Sequence, residues 1–124
     1  MKFQKYLFGL AGAYGLVTLA PLYWLEDTIG SASPPALTHV EYFYGFVGLA
    51  LAWQLAFFVI ARNPARARPF MLAAVAEKLA FGVPAAVLYA KNRVVGQTLG
   101  FGMVDLALAA AFLVAYFMTP AHAK

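Results

Sequence analysis

Long apolar stretches of this chain carry polar or ionisable groups well inside them: Gln54, the adjacent pair Glu77 and Lys78, and Asp105. A charged side chain at mid-bilayer costs ~2.5–3.5 kcal/mol on insertion scales, so such groups face a protein interior and need partners there. Two carboxyls and an amide could hold the polar head of a ligand, or relay protons. A helical rise of ~1.5 Å per residue sets their depths. Glu77 falls roughly 10 Å from one edge of its stretch, with Gln54 on the preceding stretch at about the same level. A Gln54–Glu77 hydrogen bond is therefore within geometric reach. Asp105 falls roughly 10 Å from the opposite edge, near the level of Thr18, Gly48 and Pro84. Consecutive helical residues point about 100° apart, so Lys78 is expected to snorkel to headgroups while Glu77 turns inward. A purely structural reading stands beside this one: Glu77 bonded to Gln54 or a tyrosine, and Asp105 to a hydroxyl or to Lys78.

Further along, Glu41 sits beside Tyr42 and Tyr44, on the helix face of Gly45 and Gly48. With His39, Glu26 and Asp27 it would form an acidic external rim. The ligand-binding candidates are thus Glu77, Asp105 and Gln54, with Glu41, Tyr44 and Trp53. There is no catalytic motif. Glu77 and Asp105 are expected to be offset by roughly 10 Å along the membrane normal, too far to act together on one bond. The chain has no cysteine, which excludes thiolate chemistry and Cys-based metal sites. His39 and His122 fall on opposite membrane sides, so one protomer cannot ligate a haem with both. No metal or cofactor is indicated.

These groups are carried by a chain of 124 residues, one domain in length. Hydrophobic residues make up 64% and charged residues 11%, against ~45–50% and ~25% in soluble domains. A water-soluble fold of this size lacks the polar surface to cover so much apolar material. The net charge of +4 sits at the ends of apolar segments. It reads as topology signal and headgroup contact rather than a nucleic-acid surface.

The pattern predicts an all-α fold: four membrane helices over about 6–25, 40–61, 70–90 and 98–118, each near the ~20 residues that cross a ~30 Å hydrocarbon core. The first run is too long for a signal-peptide core of ~7–15 residues, so a retained helix is expected. Between the first two spans, Glu26–Asp27 and then Gly30, Ser31, Ser33, Pro34 and Pro35 read as a helix-breaking linker, with Thr38 as the next cap. The two later loops are short, which implies antiparallel neighbours and an up-down-up-down bundle. Lys2, Lys5, Arg62, Arg66, Arg68 and Lys124 share one side; Lys91 and Arg93 share the other. The positive-inside rule then places both termini in the cytoplasm.

Small residues mark packing faces. Gly45, Gly48, Ala52 and Ala56 form a smooth stripe on the second span, expected to admit another backbone. On the third span Ala73, Ala80 and Pro84 share the face of Glu77, and on the fourth Gly102 and Ala109 flank Asp105. Pro84 removes a helix hydrogen bond, freeing the carbonyl of Ala80, and with Gly82 and Asp105 it marks the expected weak point of the bundle.

The layout, with stretches such as Phe43-Tyr44-Gly45-Phe46 and Glu77-Lys78-Leu79, resembles small bacterial four-helix membrane proteins of the DoxX-like type. The resemblance implies a bacterial inner (plasma) membrane protein, and a role as a subunit of a redox complex. From the residues themselves, the leading expectation is a protein that binds a small amphipathic or lipid-like molecule in a polar pocket of the bundle. The alternatives are an accessory subunit of a larger membrane complex and an oligomeric proton-coupled transporter. Expected partners are the bilayer, a hydrophobic small molecule, and a second copy or larger complex, with no nucleic acid.

Overall fold

The computed structural model describes residues 1–121; His122 and Lys124 lie outside the described residues. The described chain is all helical: α1 (Lys2–Leu19), a 3₁₀ turn (Ala20–Trp24), α2 (Glu26–Ala32), α3 (Val40–Arg62), α4 (Arg68–Ala90) and α5 (Gly96–Met118). Four of these segments are long and apolar enough to cross a membrane.

The first span does not run straight to Leu25. Pro21 lacks the N–H that an α-helix would use there, and the chain tightens into the 3₁₀ turn at that point. The linker also differs from expectation. Glu26 and Asp27 open a two-turn helix rather than a coil, because carboxylates favour a helix N-terminus. The chain then folds back so that Ala36 lies against Gly30, where a methyl group would meet the Ala36 Cα at 3.1 Å. His39, not Thr38, occupies the cap position of α3. The turn after α4 is a Schellman motif: Arg93 N–H donates to Leu88 C=O at 2.8 Å and Asn92 N–H to Tyr89 C=O at 2.9 Å. Asn92 takes the left-handed conformation this requires, at φ 58°.

α1 packs chiefly on α3, and α4 chiefly on α5. The two pairs meet, equally sparsely, along α1–α5 and along α3–α4. Each pair is drawn together by glycines. On α1, Gly12 lies under Phe58 and the backbone of Gln54, and Gly15 lies under the Gln54 side chain. On α4 and α5, a methyl at Gly82 would meet Leu106 at 2.8 Å, and one at Gly102 would meet the Ala85 Cβ at 2.7 Å. Close backbone approach of this kind holds helices together where lipid removes the hydrophobic drive.

Two expectations about small residues are therefore corrected. The stripe on α3 does not make the close approach: a side chain at Gly45 would meet nothing within 4 Å, and Ala52 is exposed. Gly12 and Gly15 of α1 supply the smooth surface instead, and α3 turns Gln54 and Phe58 toward them. Nor is the Gly82 region a weak point. It packs closely on Leu106 and Gly102 of α5, and Pro84 faces outward from an unbroken helix.

The widest buried side chains gather at one end. Phe8, Phe57 and Phe112 come from α1, α3 and α5, with Phe8 stacked on Phe112 at 4.3 Å between centroids and Phe57 edge-on to Phe112 at 5.1 Å. Met71 of α4 completes this cluster. A polar latch closes the same end: Gln4 Nε2 donates to Thr119 Oγ1 at 3.0 Å, and Thr119 Oγ1 donates to Ala115 C=O at 2.7 Å. Arg68 Nε donates to the carbonyls of Thr119 and Tyr116 at 2.6 and 3.2 Å, with its guanidinium 3.9 Å above the Tyr116 ring. Its positive charge thereby caps the C-terminus of α5.

Candidate functional site

The buried face of α4 follows the stripe Met71, Ala74, Lys78, Gly82, Ala85. This three-and-four spacing puts all five side chains on one side of a helix. Lys78 is therefore inside the bundle, 4% exposed, and not snorkelled to the headgroups. Its Nζ stands 3.6 Å from Asp105 Oδ1 and 3.8 Å from Glu77 Oε2, and 5.2 Å from the centroid of the Phe57 ring. The stripe was readable in the residues. Side-chain length suggested snorkelling, but helix azimuth decides the outcome.

Glu77 and Asp105 thus flank a single ammonium, and the expected ~10 Å offset between them is not found. Their side chains are 14% and 17% exposed, so both carboxyls are largely sheltered. With all three groups ionised, the trio carries one negative charge in excess. Both contacts are longer than a charge-assisted hydrogen bond of ~2.7–2.9 Å. Among the described residues, Glu77 Oε2 is buried with no hydrogen-bond partner.

The Gln54–Glu77 bond does not form. Gln54 turns toward α1, seated on Gly15, and its Nε2 donates to the Ala50 carbonyl of its own helix at 2.7 Å. Its Oε1, too, is buried with no hydrogen-bond partner among the described residues. Gly15 is the residue that makes this orientation possible, and its role becomes visible only once α1 and α3 are paired.

Glu77 lies about a sixth of a turn outside the edge of the α4 stripe and reaches the α3–α4 seam. There a groove of about 480 Å³ opens between the two helices. From α3 come Phe46, Leu49, Ala50 and Trp53. From α4 come Ala73, Ala76 and Ala80, with Glu77 as the one ionisable lining residue. The three alanines create the space, because apart from Glu77 no side chain larger than a methyl group lines α4's half. Phe46 meets Phe81 across the seam at 5.9 Å. On the far side of Trp53 lies a smaller recess of about 180 Å³, lined by apolar residues including Val59, Ile60 and Phe70. The volume falls within the ~300–1,000 Å³ range of small-molecule sites, which pair apolar walls with a few polar groups.

Of the six ligand-binding candidates, Glu77 and Trp53 line the groove together, and Asp105 stands behind Glu77 across Lys78. Gln54 faces α1, away from the groove. Glu41 is exposed, 3.1 Å from His39 Nδ1. Tyr44 donates to Glu26 Oε1 at 2.9 Å and stacks on Tyr23 at 5.9 Å, tying α2 and the 3₁₀ turn to α3. Phe46, Leu49 and the α4 alanines were not anticipated as groove walls; only the pairing of α3 with α4 reveals them. Among the described residues, no three of His, Cys, Asp and Glu are grouped to hold a metal ion. No protein family, curated protein or solved structure matches this chain.

Proposed function

We propose that this is a multi-pass membrane protein, an up-down-up-down bundle with both ends of the chain on the cytoplasmic side of a bacterial inner membrane. In this reading it binds a small amphipathic or lipid-like molecule in the α3–α4 groove. One observation carries it: an apolar groove containing a single sheltered carboxyl at its wall. The polarity of the molecule supports the membrane setting. Residues such as Val17 and Phe117 are exposed at 74% and 73% while Lys78 is buried, the reverse of a protein in water. The open side of the groove faces where acyl chains would be, so a ligand can move in laterally from the bilayer. Its apolar body would lie along the seam and its polar head would meet Glu77.

Native mass spectrometry of protein released from mild detergent tests this. The wild-type chain should retain a bound amphiphile. Ala73→Phe/Ala76→Phe, which fills the groove from α4, should lose it. Equal retention by both proteins would refute the assignment.

The stripe on α3 supports a second reading, in which the chain also joins a larger membrane assembly. Gly45 and Ala52 are exposed, leaving a smooth surface for another helix. Cysteines placed at Ala52 should then crosslink two copies, or one copy to a partner, in native membranes. Monomers alone would dismiss that reading.

A further inference from the structure

Resting on the groove reading above, we infer that the preferred ligand is a lipophilic cation: an apolar body carrying one organic ammonium group, held by the Glu77 carboxylate and the Trp53 indole. Three features converge on this class. The first is charge. With both carboxyls ionised, one ammonium serves two carboxylates, and the trio of Glu77, Lys78 and Asp105 is one positive charge short of balance. A buried charge without compensation is costly in a membrane interior, and a bound cation relieves it.

The second is which group the groove presents. Lys78 is 4% exposed and does not line the groove, whereas Glu77 does. A ligand in the groove therefore meets the carboxylate and not the ammonium. This favours a cationic head over a neutral one, and disfavours a carboxylate or phosphate head. Lys78 is also no nearer to Glu77 than to Asp105. When a ligand ammonium takes its place beside Glu77, Lys78 is left to Asp105, and every charge in the cluster has one partner.

The third is the aromatic wall. Trp53 and Phe46 line the same groove as Glu77. Indole and phenyl faces attract ammonium groups, most strongly where water is excluded. Carboxylate and aromatic rings together select an organic cation, and the apolar recess beyond Trp53 offers room for a hydrocarbon chain.

The test uses three probes of matched length: dodecylammonium, dodecanol and dodecanoate. Binding is read from Trp53 emission in a Trp24→Phe background, with the full chain in phosphatidylcholine nanodiscs and protein-free nanodiscs as the partition control. Dodecylammonium should bind about tenfold or more tightly than dodecanol, the scale of one charge-assisted contact. Dodecanoate should bind weakest. Glu77→Gln should bring the ammonium-to-alcohol ratio close to one. Asp105→Asn should also lower that ratio, although Asp105 does not line the groove, because Lys78 is then free to neutralise Glu77. Equal binding of amine and alcohol by the wild type, or tightest binding of dodecanoate, would overturn the cation assignment while leaving the groove as a lipid site. No Trp53 response to any probe would remove the groove reading itself. A ratio unchanged in Asp105→Asn but lost in Glu77→Gln would overturn the role given to Lys78.

Discussion

Lys78→Met is the most revealing single substitution. It keeps the length and much of the volume of the side chain and removes only the charge. In the native protein the ammonium stands 3.6 and 3.8 Å from two carboxylate oxygens. At an effective dielectric constant of about 20, each such contact is worth on the order of 4 kcal/mol in Coulomb attraction, much of it offset by desolvation. Removing one partner of a buried ion pair typically costs about 3–5 kcal/mol. Lys78→Met changes the cluster from one excess negative charge to two, so its cost belongs in that range. Asp105→Asn moves the same cluster the other way, to neutrality, with Lys78 still paired to Glu77. It should cost about 1 kcal/mol or less, the scale of one lost contact in a pair that stays balanced. The assay is reversible unfolding in mixed micelles, followed by helical circular dichroism, for wild type, both single variants and the double variant. The double variant should fall between the singles, since it leaves one carboxyl without its cation. If Lys78→Met lies within about 1 kcal/mol of wild type, or if Asp105→Asn costs as much as Lys78→Met, the charge-balance reasoning is wrong.

Other outcomes follow from packing. Gly102→Ala should destabilise the bundle by about 1–3 kcal/mol, because the new methyl meets the Ala85 Cβ at 2.7 Å on a helix that cannot yield cheaply. Gly45→Ala, in open space, should be neutral or gain up to about 1 kcal/mol in helix propensity; thermal unfolding of the two side by side checks the opposite signs. Gln54→Met should be neutral or stabilising by up to about 1 kcal/mol in the same measurement, because it removes a buried oxygen that has no hydrogen-bond partner. Thr119→Val should cost about 1–2 kcal/mol in denaturant titration, since it leaves the buried Gln4 amide without its acceptor.

Much of the fold was legible in the residues because four helices are long and apolar enough to cross a membrane, and their lengths follow from that. The expected spans 40–61, 70–90 and 98–118 differ by two residues or fewer at each end from Val40–Arg62, Arg68–Ala90 and Gly96–Met118. Apolar runs had to reach across hydrocarbon, and Pro64, Pro69, Pro120 and the charged turns punctuated them. Where local chemistry competes, the reading failed. Glu26 and Asp27 look like linker residues by polarity, but they start α2 because of where they sit on its first turn. The site was half legible. Glu77 and Asp105 are recognisable as costly groups, and Lys78 stands among the alternative partners of Asp105, where the structure places it; its snorkelling to the headgroups is the expectation that fails. Depth had been estimated along the helix axis, while the neighbours of a side chain depend on rotation about it. Gln54 misled for a related reason: its level matched that of Glu77, but Gly15 offered it room on the other side. Groove walls made of alanine carry no signal of their own, and they acquire meaning only from the helix placed opposite.

The Gln4–Thr119 contact joins the first helix to the last. During synthesis α1 leaves the ribosome long before Thr119 is made, so this bond cannot form until α5 is translated. Until then Gln4 must find water or lipid headgroups, and the aromatic cluster lacks Phe112. The α1–α3 pair can assemble early through Gly12 and Gly15, but closure of this end waits until α5 and Thr119 have been made. Nascent chains arrested before α5 should therefore persist as loosely joined spans, open to membrane quality-control proteases that the finished protein resists.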